Sequence, residues 1–257
     1  MNENEPMLAE GGMSRQERRE LKRQQRQYAP LFQRRGVRRG LLWAGGFAVL
    51  VLIGWGMVKL SANEPLPTNG SGSVLSIPVG PQDNSKGPQD APVTLVEYSD
   101  FQCPACGAFA PVVEQLLKDP ELVGKVRFVY RNFPLSSIHK NADLAAQAGQ
   151  AAAAQGKFWE MHDLLFENQT KWSGLSSSGA RDAFIGFART IGLNVDAFTK
   201  ALADSAVAAR VKADFDGGLQ SGVNSTPTFF VNGTKMPHPQ SLAQFKQYLT
   251  SALNATP

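Results

Sequence analysis

The chain has only two cysteines, and they stand two residues apart in Phe101-Gln102-Cys103-Pro104-Ala105-Cys106-Gly107. The alternating run Val93-Thr94-Leu95-Val96-Glu97-Tyr98 precedes them, and a helix-like run from Ala108 to Lys118 follows. A cysteine at a strand-to-helix junction meets backbone N–H groups without partners and the positive end of the helix dipole. Both favour the thiolate, the form that attacks disulfides. Cys106 lies one turn into the helix on the same side, close enough to close a short disulfide loop. Pro104 suits the first helical turn, where its missing N–H costs nothing. The spacing predicts a redox-active dithiol.

Other uses of a CxxC fit less well. Tetrahedral zinc needs a second pair of ligands, and His139, His162 and His238 are scattered without ligand spacing. A c-type haem attachment requires His directly after the second cysteine, and residue 107 is Gly. A purely structural disulfide stays open, although closing so short a loop removes little unfolded-chain entropy. No metal and no cofactor beyond the dithiol is expected.

The net charge of +4 is unevenly spread: residues 1–60 carry +6 and residues 61–257 carry −2. A nucleic-acid role therefore has no basis in the larger part, which offers no basic patch. The basic part precedes Gly40 to Val58, nineteen residues without a charge. As a helix these span ~28 Å, about one hydrocarbon core. Trp43 and Trp55 lie near the two ends, and Arg34, Arg35, Arg38 and Arg39 stand before the segment. The positive-inside rule then puts the N-terminus in the cytoplasm and residues 61–257 on the outer side of the membrane. A cleaved signal peptide is the competing reading, but the apolar run exceeds the usual length and Leu60-Ser61-Ala62 is a poor cleavage site. Residues 1–39 are expected to form a basic cytoplasmic tail, with Ser14–Gln27 a candidate surface helix. Residues 40–60 are read as a single-pass anchor in the lipid bilayer, and 61–85 as a linker rich in Pro, Gly, Ser and Asn. Within that linker Val74-Leu75-Ser76-Ile77 could form a short edge strand.

Beyond the linker, Val93–Tyr98 and Val126–Tyr130 alternate as strands around a helix at 107–118. That order suggests a parallel βαβ unit with the cysteines at the carboxyl end of a strand. From about 135 to 222 the pattern turns helical, with apolar stripes such as Phe158, Met161, Leu164 and Leu165. Thr228–Val231 returns to strand, Asn232-Gly233 reads as a hairpin turn, and Leu242–Leu253 as a closing helix.

Several of these segments resemble the DsbA-like thiol:disulfide oxidoreductases. The resemblance runs through Asp90–Cys106, Arg131-Asn132-Phe133-Pro134-Leu135, Gly156-Lys157-Phe158-Trp159 and Ser225-Thr226-Pro227-Thr228-Phe229-Phe230-Val231-Asn232-Gly233. Membrane-tethered bacterial members are the nearest in kind. It implies an α/β thioredoxin fold over 86–257 with an inserted helical domain at about 135–222, preceded by one N-terminal transmembrane helix. By the resemblance, Cys103 is the exposed nucleophile, Cys106 the buried resolving cysteine, and Pro104 and Ala105 the loop between them. Thr226 and Pro227 match the cis-proline loop that binds substrate chain by a short β-augmentation. Glu97 matches an acidic residue beneath the active site, which could accept the proton of Cys106; a partly exposed strand residue is the plainer alternative. Asp100 is expected to cap the helix or face water, and His139 and His162 to be packing residues. Residue 105 is Ala where strongly oxidising relatives carry His, so a less oxidising dithiol is expected.

The implied function is donation of disulfides to exported or unfolded proteins, followed by reoxidation by a membrane quinone-linked thiol oxidase. Two alternatives remain: a reductase or isomerase of the same fold, and a non-catalytic peptide-binding module with a structural disulfide.

Overall fold

The computed structural model describes residues 73–255, together with residues 14–16, 19, 20, 22 and 23. Apart from Ser14, the latter group is helical and all of it is exposed. The anchor at 40–60 and the linker up to residue 72 lie outside the described residues. Among those described, no helix is long and apolar enough to cross a membrane.

Strands β1 (Asn84–Lys86), β2 (Val93–Ser99), β3 (Val126–Asn132), β4 (Thr228–Val231) and β5 (Thr234–Lys235) form one sheet in the order β1-β3-β2-β4-β5. Helix α1 (Pro104–Leu117) links β2 to β3, which run parallel in register from Val93 opposite Val126 to Ser99 opposite Asn132. The chain then leaves the sheet for α2 (Ala142–Ala153), α3 (Phe158–Glu167), α4 (Gln169–Trp172), α5 (Ser177–Thr190), α6 (Val195–Ala201) and α7 (Ser205–Gln220). It returns as β4, antiparallel to β2. The turn at Asn232-Gly233 has φ of 47° and 82°, the left-handed pair that a two-residue hairpin needs. Helix α8 (Leu242–Ala255) closes the domain. This is the expected βαβ unit, helical insertion and hairpin.

Apolar side chains gather in three places. On one sheet face, Leu95, Phe128 and Phe229 pack under Val113 and Leu116 of α1 and Phe245 and Leu249 of α8. On the other, Val96, Tyr98, Val129 and Phe230 are covered by Phe215 of α7 and by Leu75 and Val79. Gly218 lets α7 lie this close: a Cβ there would stand 2.6 Å from the Phe133 ring. The helical insertion has its own core around Met161, Trp172, Phe184 and Phe198, and this core takes in Phe101 and Tyr130. The turn that carries Cys103 is thus anchored by Phe101 in the helical domain.

The segment before Val93 departs from the linker expectation. Val74 makes an isolated bridge to Thr234, so 74–77 is not a strand proper. Strand β1 instead falls at Asn84–Lys86 on the opposite sheet edge, antiparallel to β3. Leu75 and Val79 cover a sheet face because polar contacts fasten the chain there. Buried Arg131 donates to the Ile77 and Pro78 carbonyls and to the Tyr98 hydroxyl, at 2.8 to 3.0 Å. It also grips both carboxylate oxygens of Asp83, at 3.0 and 2.9 Å. Burial pushes the Asp83 pKa up, but Arg131, the Gly80 N–H and Arg210 together outweigh it and leave the carboxyl below its ordinary range. Asp83→Ala would leave Arg131 buried without its counter-charge, and is expected to destabilise the domain by about 3 kcal/mol in urea unfolding. A change below about 0.5 kcal/mol would mean the segment contributes little.

Candidate active site

Helix α1 begins at Pro104, where the sequence placed a first helical turn and ahead of the apolar run at 107–118, so that Cys103 itself is the N-cap with φ −74° and ψ 121°. Cys103 makes no side-chain capping hydrogen bond, but its sulfur sits beside the first-turn N–H groups. Those of Ala105 and Cys106 interact with it, as does the Cys106 thiol. The opposite wall is the Thr226-Pro227 loop, whose peptide bond is cis. The Cys103 thiol donates to the Thr226 carbonyl at 3.5 Å. The buried Thr226 hydroxyl has no partner among the described protein groups when Cys103 is a thiol. It can donate to the same sulfur as a thiolate.

These contacts set the two thiols apart. The hydrogen bond from Cys106 leads in lowering the Cys103 pKa to about 5, against a smaller opposing effect of burial. Cys106 is fully buried, and desolvation, with the Cys103 and Glu97 charges added, pushes its thiol far up. Cys103 is only 7% exposed, more covered than the expected exposed nucleophile, because the Thr226 loop closes over it. Pro104 and Ala105 are exposed, and Pro227 is buried.

Glu97 is 2% exposed, because both faces of β2 are covered. Burial, then the nearby Cys103 charge, raise its pKa to about 7. Glu97 lines a cleft of about 470 Å³ between α1 and α3, with Ala110, Phe128, Trp159 and Phe166 among its walls.

A family model described as thioredoxin matches residues 81–251, more than half of the chain. The chain belongs to the thioredoxin family. Solved thioredoxin-fold relatives include oxidised BdbD from Bacillus subtilis, 25% identical with a TM-score of 0.63 over 72% of this chain and 100% of that one. A thioredoxin-like oxidoreductase from Silicibacter pomeroyi is 27% identical with a TM-score of 0.57, covering 68% of this chain and 95% of its own. Wolbachia pipientis alpha-DsbA1, at 21% identity and a TM-score of 0.62, shares the fold over 71% of this chain and 96% of its own. In sequence, the Na(+)/H(+) antiporter NhaA 1 of Salinispora arenicola is 41% identical over 183 residues, which make up 71% of this chain. The NhaA 3 antiporter of Salinispora tropica is 41% identical over 179 residues. The chain spans about a quarter (26%) of the length of these curated relatives.

The thioredoxin-family site holds more than sequence reasoning assigned to it. Asp100 neither caps the helix nor faces water. It is buried, accepts from the Gln102 and Leu135 N–H groups at 2.7 and 2.9 Å, and pairs with His139 Nδ1 at 2.7 Å. Packing of residues 133–135 beside β2 puts it there. His162 fits the packing expectation, buried among the rings of Phe101, Tyr130 and Trp159 and joined to Asp163 at 2.8 Å. Burial pushes its pKa down. Two glutamines were not singled out. Gln102 donates to the Ser173 carbonyl and accepts from the Asn141 N–H, and Gln169 donates to the Phe101 and Cys103 carbonyls. Gln102 sits inside the motif, which was a local signal; Gln169 had none, being sixty-six residues from Cys103.

Proposed function

We propose that this protein is a membrane-tethered thiol:disulfide oxidoreductase that passes disulfides to exported proteins through Cys103 and Cys106. The observation that carries the reading is the asymmetry of the pair: Cys103 stands at the helix start against the Thr226 carbonyl, 3.5 Å away, with its pKa lowered, while Cys106 is fully buried near Glu97 with its thiol pushed up. Such an arrangement stabilises the dithiol relative to the disulfide, which makes the disulfide an oxidant.

The exchange starts from the Cys103–Cys106 disulfide. A substrate thiolate attacks Cys103 Sγ; the bond to Cys106 breaks, and its electron pair leaves on Cys106. Glu97, titrating near neutrality, gives that sulfur a proton. A second substrate thiolate then attacks the substrate sulfur of the mixed disulfide, and Cys103 leaves as a stable thiolate. The substrate has lost two electrons and the dithiol has gained them. Backbone groups of the Thr226-Pro227 loop beside the sulfur suit an extended substrate segment.

To turn over, the dithiol must return its electrons to an oxidant, for which a membrane quinone-linked thiol oxidase is the proposed class. A charge-free segment at 40–60 behind a cluster of arginines supports an anchor with the N-terminus in the cytoplasm. Antiporter relatives that contain a similar segment fit a domain working beside a bilayer. The anchored protein would then act on the periplasmic or extracellular side, where disulfides persist.

Cys106→Ser is the test. Without its resolving thiol, the Cys103 thiolate is expected to accumulate as mixed disulfides with exported proteins, seen as adducts that collapse on reduction. Cys103→Ser should form none. Equal adduct levels in both variants would refute the assignment of nucleophile and resolver, and a wild-type dithiol fully reduced in cells would refute the oxidising direction.

A further inference from the structure

We infer that Gln169, on helix α4 of the inserted domain, is a positioning residue for the Cys103 nucleophile, and that residue 107 is glycine to admit it. The inference rests on the redox reading above. Gln169 Nε2 donates to the Phe101 carbonyl at 2.8 Å and to the Cys103 carbonyl at 2.9 Å, so one amide bridges the two ends of the turn that presents the sulfur. The Cys103 carbonyl also accepts from the Gly107 N–H at 3.1 Å, the first bond of α1.

The bridge is rigidly mounted. Three residues beyond Gln169, Trp172 is fully buried, donates to the Leu165 carbonyl at 2.8 Å and packs on Phe184. A companion contact runs the other way, where Gln102 reaches Ser173 and Asn141 at 2.9 and 2.7 Å.

Gly107 is the independent observation. It occupies the fourth position of α1, where glycine is a poor helix former and alanine the best. Its φ is not in the left-handed region, so the backbone does not demand glycine there. A Cβ there would stand 3.1 Å from Gln169 Oε1 and 3.2 Å from Nε2, tight enough that the amide would have to shift. A side chain at 107 would crowd the amide that bridges residues 101 and 103. The aim of the Ala105 and Cys106 N–H groups at Cys103 depends on that turn, so the bridge links the helical domain to thiolate stability.

The experiment compares full-length wild type, Gln169→Ala, Gln169→Glu, Gly107→Ala and the Gly107→Ala/Gln169→Ala double variant. Three readouts are taken: thiolate absorbance against pH, the equilibrium constant with glutathione, and the urea midpoint. The titratable groups beside Cys103 are Cys106 and Glu97, and no variant alters either. Gln169→Ala is expected to move the thiol–thiolate balance about 3- to 10-fold toward thiol, the size of a lost hydrogen bond, with a matching fall in oxidising strength. Gln169→Glu should move it further, since a carboxylate cannot donate and adds negative charge. Gly107→Ala should reproduce the shift when Gln169 is present and add nothing when it is absent. Titrations unchanged in every variant, even with altered urea midpoints, would reduce Gln169 to a structural tie and overturn the inference. So would a Gly107→Ala shift of the same size in both backgrounds. A wild-type Cys103 that titrates like an ordinary thiol would instead remove the redox reading itself.

Discussion

Alkylation of Cys103 in the reduced protein is expected to follow a pH midpoint near 5, against 9.0 for an unperturbed thiol. At pH 7 the sulfur would be about 99% thiolate, where an ordinary thiol is only a few per cent ionised. Its rate advantage over an ordinary cysteine should be greatest at and below about pH 5 and shrink toward pH 9, because Cys103 is already ionised while the ordinary thiol is still gaining thiolate. The lower basicity of the Cys103 thiolate trims the advantage at every pH. A midpoint above about pH 8 would mean that the N-cap geometry does not act on the sulfur.

The same shift makes a stability statement. A thiol whose folded pKa is depressed stabilises the fold above its unfolded pKa and loses that contribution as pH falls through the folded value. For Cys103 the window runs from 9.0 down to about 5. At pH 7, two pH units above the midpoint, the reduced state gains at most about 2.7 kcal/mol. Cys106 contributes nothing there, since it keeps its proton in both folded and unfolded chains. The disulfide has no thiolate and gains none of this. The reduced protein should therefore become more stable relative to the oxidised one as pH rises from 5 to 9. Through the two-electron couple, 2.7 kcal/mol corresponds to roughly 60 mV of added oxidising strength at pH 7. Urea unfolding of both redox forms at several pH values measures it. A redox difference that stays flat with pH would contradict the thiolate assignment.

Glu97→Gln is expected to stabilise the domain at pH 8 and leave it nearly unchanged at pH 4. The wild-type carboxyl is raised to about 7 from 4.5, chiefly by burial. A group raised in this way favours folding only while it holds its proton: the benefit is whole below pH 4.5 and is lost as pH rises through about 7. At pH 8 the wild type has given up about 3 kcal/mol that the neutral amide keeps. The variant should also resolve mixed disulfides about 100-fold more slowly between pH 6 and 8, as expected for loss of a general acid or base. Greater stability with slower exchange would separate a proton-transfer role from a packing role. A variant destabilised at pH 8 would show instead that Glu97 is a structural hydrogen-bonding residue. In the disulfide form the Cys103 charge next to Glu97 is gone, so its pKa should fall on oxidation.

The reactive centre was legible in the chain because its signals are local. Cys103 and Cys106 are one helical turn apart, Pro104 marks the helix start, and the alternation of Val93–Tyr98 marks the strand that delivers them. Asn232-Gly233 dictates its turn through backbone conformation alone. Thr226-Pro227 became meaningful beside the dithiol only through likeness to other proteins; the packing of β4 against β2 is what brings it there.

What no local pattern carried is where burial and long contacts decide. Asp83 lies in a stretch whose Pro, Gly and Ser content reads as linker, yet its carboxylate meets Arg131 in the interior. Asp100 looks like a helix cap one turn too early, and becomes buried because residues 133–135 pack beside it. Gln169 is an ordinary surface-type residue until α4 sets it against Phe101 and Cys103.

From its residues alone this chain specifies a dithiol at a strand–helix junction, a parallel βαβ unit and a helical insertion, since periodicity and turn chemistry act over a few residues. The separation of the two sulfurs' pKa values, the burial of Glu97 and the grip of the helical domain on the turn carrying Cys103 were settled by tertiary structure. They depend on desolvation and on partners dozens of residues away, and those exist only once the sheet and the helical domain have closed around them.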